Sequence, residues 1–347
     1  MILNKAPIRT SNNYGINNID LKFDIPQNIE NFESLTICGD SQNFKISNEV
    51  DLYKLKYGIS NELEELNFKK GNKNLKIEPK KDGTITLEFN LNEDDINLLE
   101  NIEIISKENS NSSIIIKYLS DENLECFHNG IIKVKAQKNS TTNIIIVNML
   151  NYKANNILSF QNNLEENAKI NYTIVDFGGE KSITNWYSSN EGENSEANIN
   201  TIYLGIENQI FDINYISELF GKNTKTNIEV QGALKDTAKK NFKGTIDFKN
   251  GAKKAKGNEN EFCMLLSEKA KSKALPMLLC SEEDVEGNHS TAAGRPKKDE
   301  LFYIMSRGFS YRDALKLIVR ARFNSILNTI KCQKLREEIL SEIDKRL

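Results

Sequence analysis

The sequence predicts a mainly β chain, most economically a solenoid of stacked parallel rungs, followed by a C-terminal α-helical segment. Three observations point there. Short β-branched bursts recur from Ile102 onward with no long helical pattern between them. A loose unit repeats, with the small residues Ala168, Ala197 and Thr226 about 29 positions apart, a spacing typical of solenoid repeats. After Pro296 the apolar period changes from that of a strand to that of a helix. An ordinary β-sandwich also gives short strands with close turn signals, and on periodicity alone it stays open.

Residues 1–100 read as a variable N-terminal region of mixed α/β character. Within it a short helix is expected at 60–66, a strand at 84–89 (TITLEF) and another short helix at 94–99. Residues 101–295 read as the β core. Its bursts include SIIIKYL at 113–119, IIKVKA at 131–136, NIIIVNML at 143–150, INYTIVDFG at 170–178 and NIEVQGAL at 227–234. In each unit a charged or Asn-rich turn leads through a small residue into an alternating strand. The abundance of Asn reads as compositional bias rather than function.

Residues 296–347 read as a helical domain. Pro296 suits a first helical turn, and Leu301, Ile304 and Met305 follow at helical spacing before Gly308 stops the helix. Ser310 with Asp313 resembles a capping box, opening a second helix with Ala314, Leu315, Ile318, Val319 and Phe323 on one side. A third runs from about Cys332 to Leu347 with Leu335, Ile339, Leu340 and Ile343 apolar. Helices this small must pack on the solenoid end or receive a partner.

Composition excludes several functions. A chain of 347 residues with 38% hydrophobic content can bury a core, and its net charge of −3 gives no general pull toward nucleic acid or an anionic membrane. No stretch approaches the roughly 18 apolar residues of a membrane span. The N-terminus lacks the apolar run of roughly 7–15 residues that a signal peptide needs, so a cytoplasmic location is expected. Cys38, Cys126, Cys263, Cys280 and Cys332 are too scattered for a disulfide framework and include no CxxC pair. Each thiol is therefore expected to be reduced and to pack as a small hydrophobe.

The usual catalytic signatures are missing. Neither His128 nor His289 lies in a nucleophile-elbow context, and no GxxxxGK[ST] loop occurs. Lysines between 235 and 256 read as a solvated row of turn residues. A β-helical carbohydrate-active enzyme is the competing function, with Glu282, Glu283 and Asp284 as its acidic run, but adjacent strand residues point in different directions. Cys263, Cys280 and His289 remain: thiolate and imidazole can ligate iron or carry sulfur, although taken singly each cysteine is more often a packing residue and a histidine more often structural.

The motifs around these residues carry a resemblance. FCMLL at 262–266, Pro276 with Cys280, DVEGNHSTAAGR at 284–295 and ELFYIMSRGFSYRDALKLIV at 300–319 resemble the SufB/SufD family of iron–sulfur cluster assembly scaffolds. The likeness is strong over about 230–325 and weaker upstream. It implies a right-handed parallel β-helix with a C-terminal helical domain and a non-catalytic scaffold role. It further implies pairing through the β-helix, with a SufB-type partner or with itself, docking of a SufC-type ABC ATPase, and a sulfur donor system. A nascent iron–sulfur cluster is the implied transient cargo, and reduced flavin in the complex is a further expectation. By this resemblance Cys263 and His289 are its ligands, Cys280 a weaker candidate, and Phe302, Tyr303, Arg307 and Gly308 belong to the partner-binding segment. The approach to His289 is SufD-like, Cys263 is SufB-like, and Ser290 stands where SufB has a glutamate.

Overall fold

The computed structural model describes residues 1–10, 14–22 and 24–347. Two nine-stranded sheets face each other, and from Lys73 onward the chain alternates between them. One sheet runs from Gly83–Leu91 to Val285–Gly294, the other from Lys73–Pro79 to Lys271–Cys280, with every neighbouring pair in these runs parallel. The result is a parallel solenoid of about eight turns, which replaces the sandwich alternative. The antiparallel strands Leu35–Gly39 and Phe44–Ser47 close its first end. At the other end, Lys271–Cys280 and Val285–Gly294 are the last strands, and nothing among the described residues pairs with their outer edges.

The parallel ladder starts upstream of residue 101, and the helix expected at 94–99 is not formed. Those residues enter the strand Asn97–Ser106 instead, where Leu98 joins the interior core and Leu99 packs on the outer face. Adjacent leucines satisfy opposite faces of a strand as readily as neighbouring positions of a helix. The other expected short helix forms as α1 (Asn61–Lys70), with Ser60 accepting from the Leu63 amide at 3.1 Å.

Turn chemistry sets the register. Asn109, Asn139, Asn167, Asn194 and Asn223 all have φ between 56° and 59°, the left-handed region that Asn tolerates better than most side chains. Each is followed by a small residue: Ser110, Ser140, Ala168, Ser195 and Thr224. Their amides then stack along the solenoid. Asn139 donates to Asn109 at 3.1 Å, Asn167 to Asn139 at 2.9 Å, Asn194 to Asn167 at 3.0 Å and Asn223 to Asn194 at 3.2 Å. A second ladder joins Asn143, Asn171 and Asn198 at 3.0 Å per step. The asparagines dismissed as compositional bias are thus structural. Of the three small residues used to find the repeat, Ala197 and Thr226 are register partners, whereas Ala168 lies in the turn and Ile170 pairs with Ala197. The true period varies between roughly 27 and 31 residues.

Between the sheets lies one continuous apolar core, with Phe160, Tyr172, Trp186, Tyr215 and Phe242 in successive edge-to-face contact at 5.3–6.2 Å. A buried polar chain threads it: Glu100, His128, Asn156, Ser182 and Asp176. His128 Nδ1 is 2.7 Å from Asn156, Asn156 donates to Ser182 at 2.9 Å, and Ser182 donates to Asp176 at 2.8 Å. His128 is therefore a fully partnered interior histidine.

Both outer faces are covered. Helices α3 (Tyr311–Leu327) and α4 (Gln333–Arg346) lie on the first sheet, where Val319, Phe323, Ile326, Ile339 and Ile343 bury Val175, Phe177, Leu204 and Met264. They thus cover a sheet face rather than the solenoid end. The Ser310 cap forms as expected, accepting from the Asp313 amide at 3.1 Å. On the second sheet, α1 and the N-terminal segment cover Leu99, Phe127, Ile157 and Ile183. There Asn4, at φ 51°, donates to Asp212 at 2.8 Å, and Asp212 accepts from buried Lys243 at 2.5 Å. Lys243 and Lys240 are fully buried, so two lysines of the row expected in solvent are interior instead. Each is held by a carboxylate, as burial of an ammonium requires.

Two outcomes follow for stability. Asn167→Ala should cost about 1–2 kcal/mol because alanine resists the left-handed turn, and Asn167→Gly should cost less, both read from urea midpoints. Burial pushes the Asp176 carboxyl up to about 6. Because that value is raised on folding, its contribution is fully present below the ordinary carboxylate range and is lost as pH rises through about 6. Asp176→Asn should flatten that decline, seen as a smaller loss of urea midpoint between about pH 4 and pH 8.

Candidate functional site

The last two rungs carry every residue that the sequence singled out for ligation. Cys263 lies near the end of the strand Ala255–Leu265, wholly buried and facing the interior. Its register neighbours are Gly232 and Ala293. Glycine is required at 232 because the Tyr203 ring occupies the space, and a Cβ there would sit 1.8 Å from it. The Cys263 thiol is within hydrogen-bond reach of Tyr203 and Ser272; burial pushes its pKa up, and nearby Lys240 opposes that shift.

His289 is exposed on the terminal strand Val285–Gly294, in register with Glu259. It shares the inward-facing parity of Cys263 but lies four residues short of it, about 13 Å along the strand direction. Cys280 is exposed at the other end of the rung, its thiol donating to the Glu282 carbonyl at 2.9 Å. Ser272, which Cys263 touches, begins the strand that Cys280 ends, so these two thiols lie about 25 Å apart. Within one chain the three candidates are therefore not brought together. Among the described residues no three His, Cys, Asp or Glu side chains converge on a metal position.

What does surround Cys263 is a set of interior polar groups that sequence reading passed over. Lys240 and Glu261 form a fully buried pair at 2.7 Å, and the Tyr203 hydroxyl lies 3.4 Å from Glu261. One position further along the inward face is Glu259, also wholly buried, with neither carboxylate oxygen hydrogen-bonded. Burial and neighbouring Glu261 push the Glu259 carboxyl up to about 8. The signal was present as Asn258-Glu259-Asn260-Glu261 leading into Phe262-Cys263: strand alternation puts Glu259, Glu261 and Cys263 on one face.

The segment expected to bind a partner is exposed. Helix α2 (Lys298–Ser306) buries no residue, and Phe302, Tyr303, Met305, Phe309 and Tyr311 are each at least 42% exposed. Arg307 donates to the Tyr303 hydroxyl at 3.1 Å and stacks 5.2 Å from its ring centre. Gly308 takes φ 97°, the left-handed stop its position called for.

Burial predicts thiol reactivity. In the native protein Cys38, Cys280 and Cys332 should alkylate readily, and Cys126 and Cys263 only as the structure opens. Mass-spectrometric labelling checks this; Cys263 reacting as fast as Cys280 would contradict its placement.

Comparisons with known proteins identify the family. The family model described as SUF system FeS cluster assembly, SufBD core domain, matches residues 89–322. The iron–sulfur cluster assembly protein SufD of Bacillus subtilis is 28% identical over 167 residues, covering 48% of this chain and 37% of the relative. An iron–sulfur cluster assembly SufBD family protein of Pyrococcus horikoshii is 32% identical over 168 residues, 47% of this chain and 36% of the relative. SufD of Escherichia coli is 25% identical over 156 residues, 45% and 37% respectively. The matched parts thus span little more than a third of these relatives' length. With the core model matching most of a parallel solenoid that ends in an open rung and an exposed helix, the chain belongs to the SufB/SufD family of iron–sulfur cluster assembly proteins.

Proposed function

We propose that this protein is a non-catalytic subunit on which nascent iron–sulfur clusters form, pairing through the open end of its solenoid and docking an ABC-type ATPase through α2. The family match carries this reading, and it leaves the carbohydrate-active alternative without a supporting observation. Two features support the finer parts. Strand edges offer unpaired amides and carbonyls, so the edges of Lys271–Cys280 and Val285–Gly294 suit addition of the same edges from a SufB-type partner or a second copy. The aromatic surface of α2 is an apolar patch with no cover in this chain, which fits a partner contact.

The cluster is cargo, and the residues present fit it chemically, since thiolate and imidazole are established iron donors. The exposed imidazole of His289 is available as it stands. Cys263 is not: its thiol must lose a proton inside the core. Lys240 favours the thiolate electrostatically, and movement of the last rung would admit the iron. Because Cys263 and His289 of one chain are far apart, a cluster at the interface would draw donors from both members of the pair.

Replacing Phe302 and Tyr303 together by Ala should abolish co-purification with the ATPase while leaving the thermal midpoint unchanged, because neither side chain is buried. Retained ATPase binding would remove the docking assignment.

A further inference from the structure

One inward-facing column of the first sheet changes character at the open end. Register partners along it are Ile85, Ile114, Ile144, Tyr172, Ile199, Ile228, Glu259 and His289. Six bulky apolar side chains are followed by a carboxylate and then an imidazole. The position of Glu259 is one where the fold otherwise places isoleucine or, once, tyrosine, and an acidic side chain there breaks the pattern that builds the core. Such departures from local consistency fall at functional or strained sites.

The surroundings of Glu259 are arranged for its carboxylate yet give it no partner. It is 0% exposed, and both oxygens lack a hydrogen bond. A buried carboxylate with neither donor nor counter-ion is strongly disfavoured. The Lys240 ammonium in the same layer does not serve it, being held by Glu261 at 2.7 Å. Across the interior stands Gly244, whose backbone has no left-handed φ to explain a glycine. A Cβ at 244 would fall 2.1 Å from Glu259 Oε1, so the missing side chain leaves room for the carboxylate. The next residue in the column, His289, lies one ladder step away, about 4.8 Å between strands, on the same inward parity and open to solvent.

We propose that Glu259 and His289 together form an entry site for a ferrous ion at the open end of the solenoid. This rests on the reading that iron is handled at this end. Carboxylate and imidazole are the donor pair suited to a divalent iron ion, and the ion supplies the positive charge that Glu259 lacks. Water, or a group from the paired subunit, completes the coordination. The ion is bound as Fe2+ without change of oxidation state, displacing a proton from whichever donor carries one. Glu259 thus acts as a ligand that delivers iron to the interface, and Glu261 remains the partner of Lys240.

The test is anaerobic titration of the full-length chain, in its purified oligomeric state, with Fe2+ against a competing chelator, and with Mn2+ followed by electron paramagnetic resonance. Glu259→Gln keeps the shape and removes the charge; His289→Ala alters an exposed side chain. Each should weaken Fe2+ binding by roughly 10- to 100-fold, and each should abolish the rise in thermal midpoint that Fe2+ gives the parent chain. Metal-free Glu259→Gln should melt higher than the parent, because an unpartnered buried carboxylate is gone. Parent-like Fe2+ affinity in either variant, or no Fe2+ binding by the parent, overturns the site. Should Glu259→Gln fail to fold, His289→Ala alone decides. Cluster reconstitution with the ATPase is scored separately. A chain that builds clusters but binds Fe2+ independently of Glu259 refutes this inference and leaves the family role intact. One that binds Fe2+ through Glu259 but supports no cluster formation does the reverse.

Discussion

In-register stacking of turns is the constraint on which everything else in this molecule depends. Each rung can hydrogen-bond to its neighbours only if its corners superimpose. Along one edge a left-handed asparagine at five successive corners, from Asn109 to Asn223, makes the chain turn at the same height each time. Asparagine serves because it tolerates that conformation and because its amide can both give and accept, so successive corners bond to one another. The small residue that follows tucks under the corner and lets the next strand start. Strand length can then vary a little, since the corner, not the repeat length, sets the alignment.

A two-sheet solenoid has two outer faces, and both become apolar where they are to be covered. The first sheet carries Val175, Phe177, Leu204 and Met264 outward, and α3 and α4 bury them. On the second sheet the N-terminal segment does this, pinned through Asn4, Asp212 and Lys243. Most of the C-terminal helical domain is thus spent on the chain's own surface. Helix α2, with the adjoining Phe309 and Tyr311, is left with its aromatic side chains in solvent. The division of labour among three helices of similar amphipathic appearance follows from which of them has a complementary sheet face within reach.

Interior polar groups fall into two kinds. The chain from His128 to Asp176 is internally satisfied and lies deep within the solenoid. The group at the last rungs is less complete: Lys240 and Glu261 satisfy each other, Cys263 leans on Tyr203, and Glu259 has no partner. Single unpartnered polar atoms such as Trp186 Nε1 and Ser112 Oγ also occur elsewhere in the stack, but Glu259 is the carboxylate with neither oxygen bonded, and it lies beside the open edge, where a second protein or an ion can supply what the chain does not.

Strands, turns and helix caps were legible in the sequence because they depend on neighbours a few residues apart. The alternation in SIIIKYL or NIEVQGAL, the Asn-small corner, the Ser310 cap and the Gly308 stop each act locally, and all formed as read. The motifs from Phe262 to Val319 likewise sufficed to indicate the family. Tertiary structure alone decided which parity of each strand faces inward and which residues lie over one another. That is why Leu98 and Leu99 looked helical, why Lys240 and Lys243 looked solvated, and why Cys263, Cys280 and His289, close in sequence, stand apart. Turns of roughly 27 to 31 residues shift the stacking partner by a few positions per rung. Glu259 becomes the neighbour of His289 only once that register is set by the corner bonds of the whole stack.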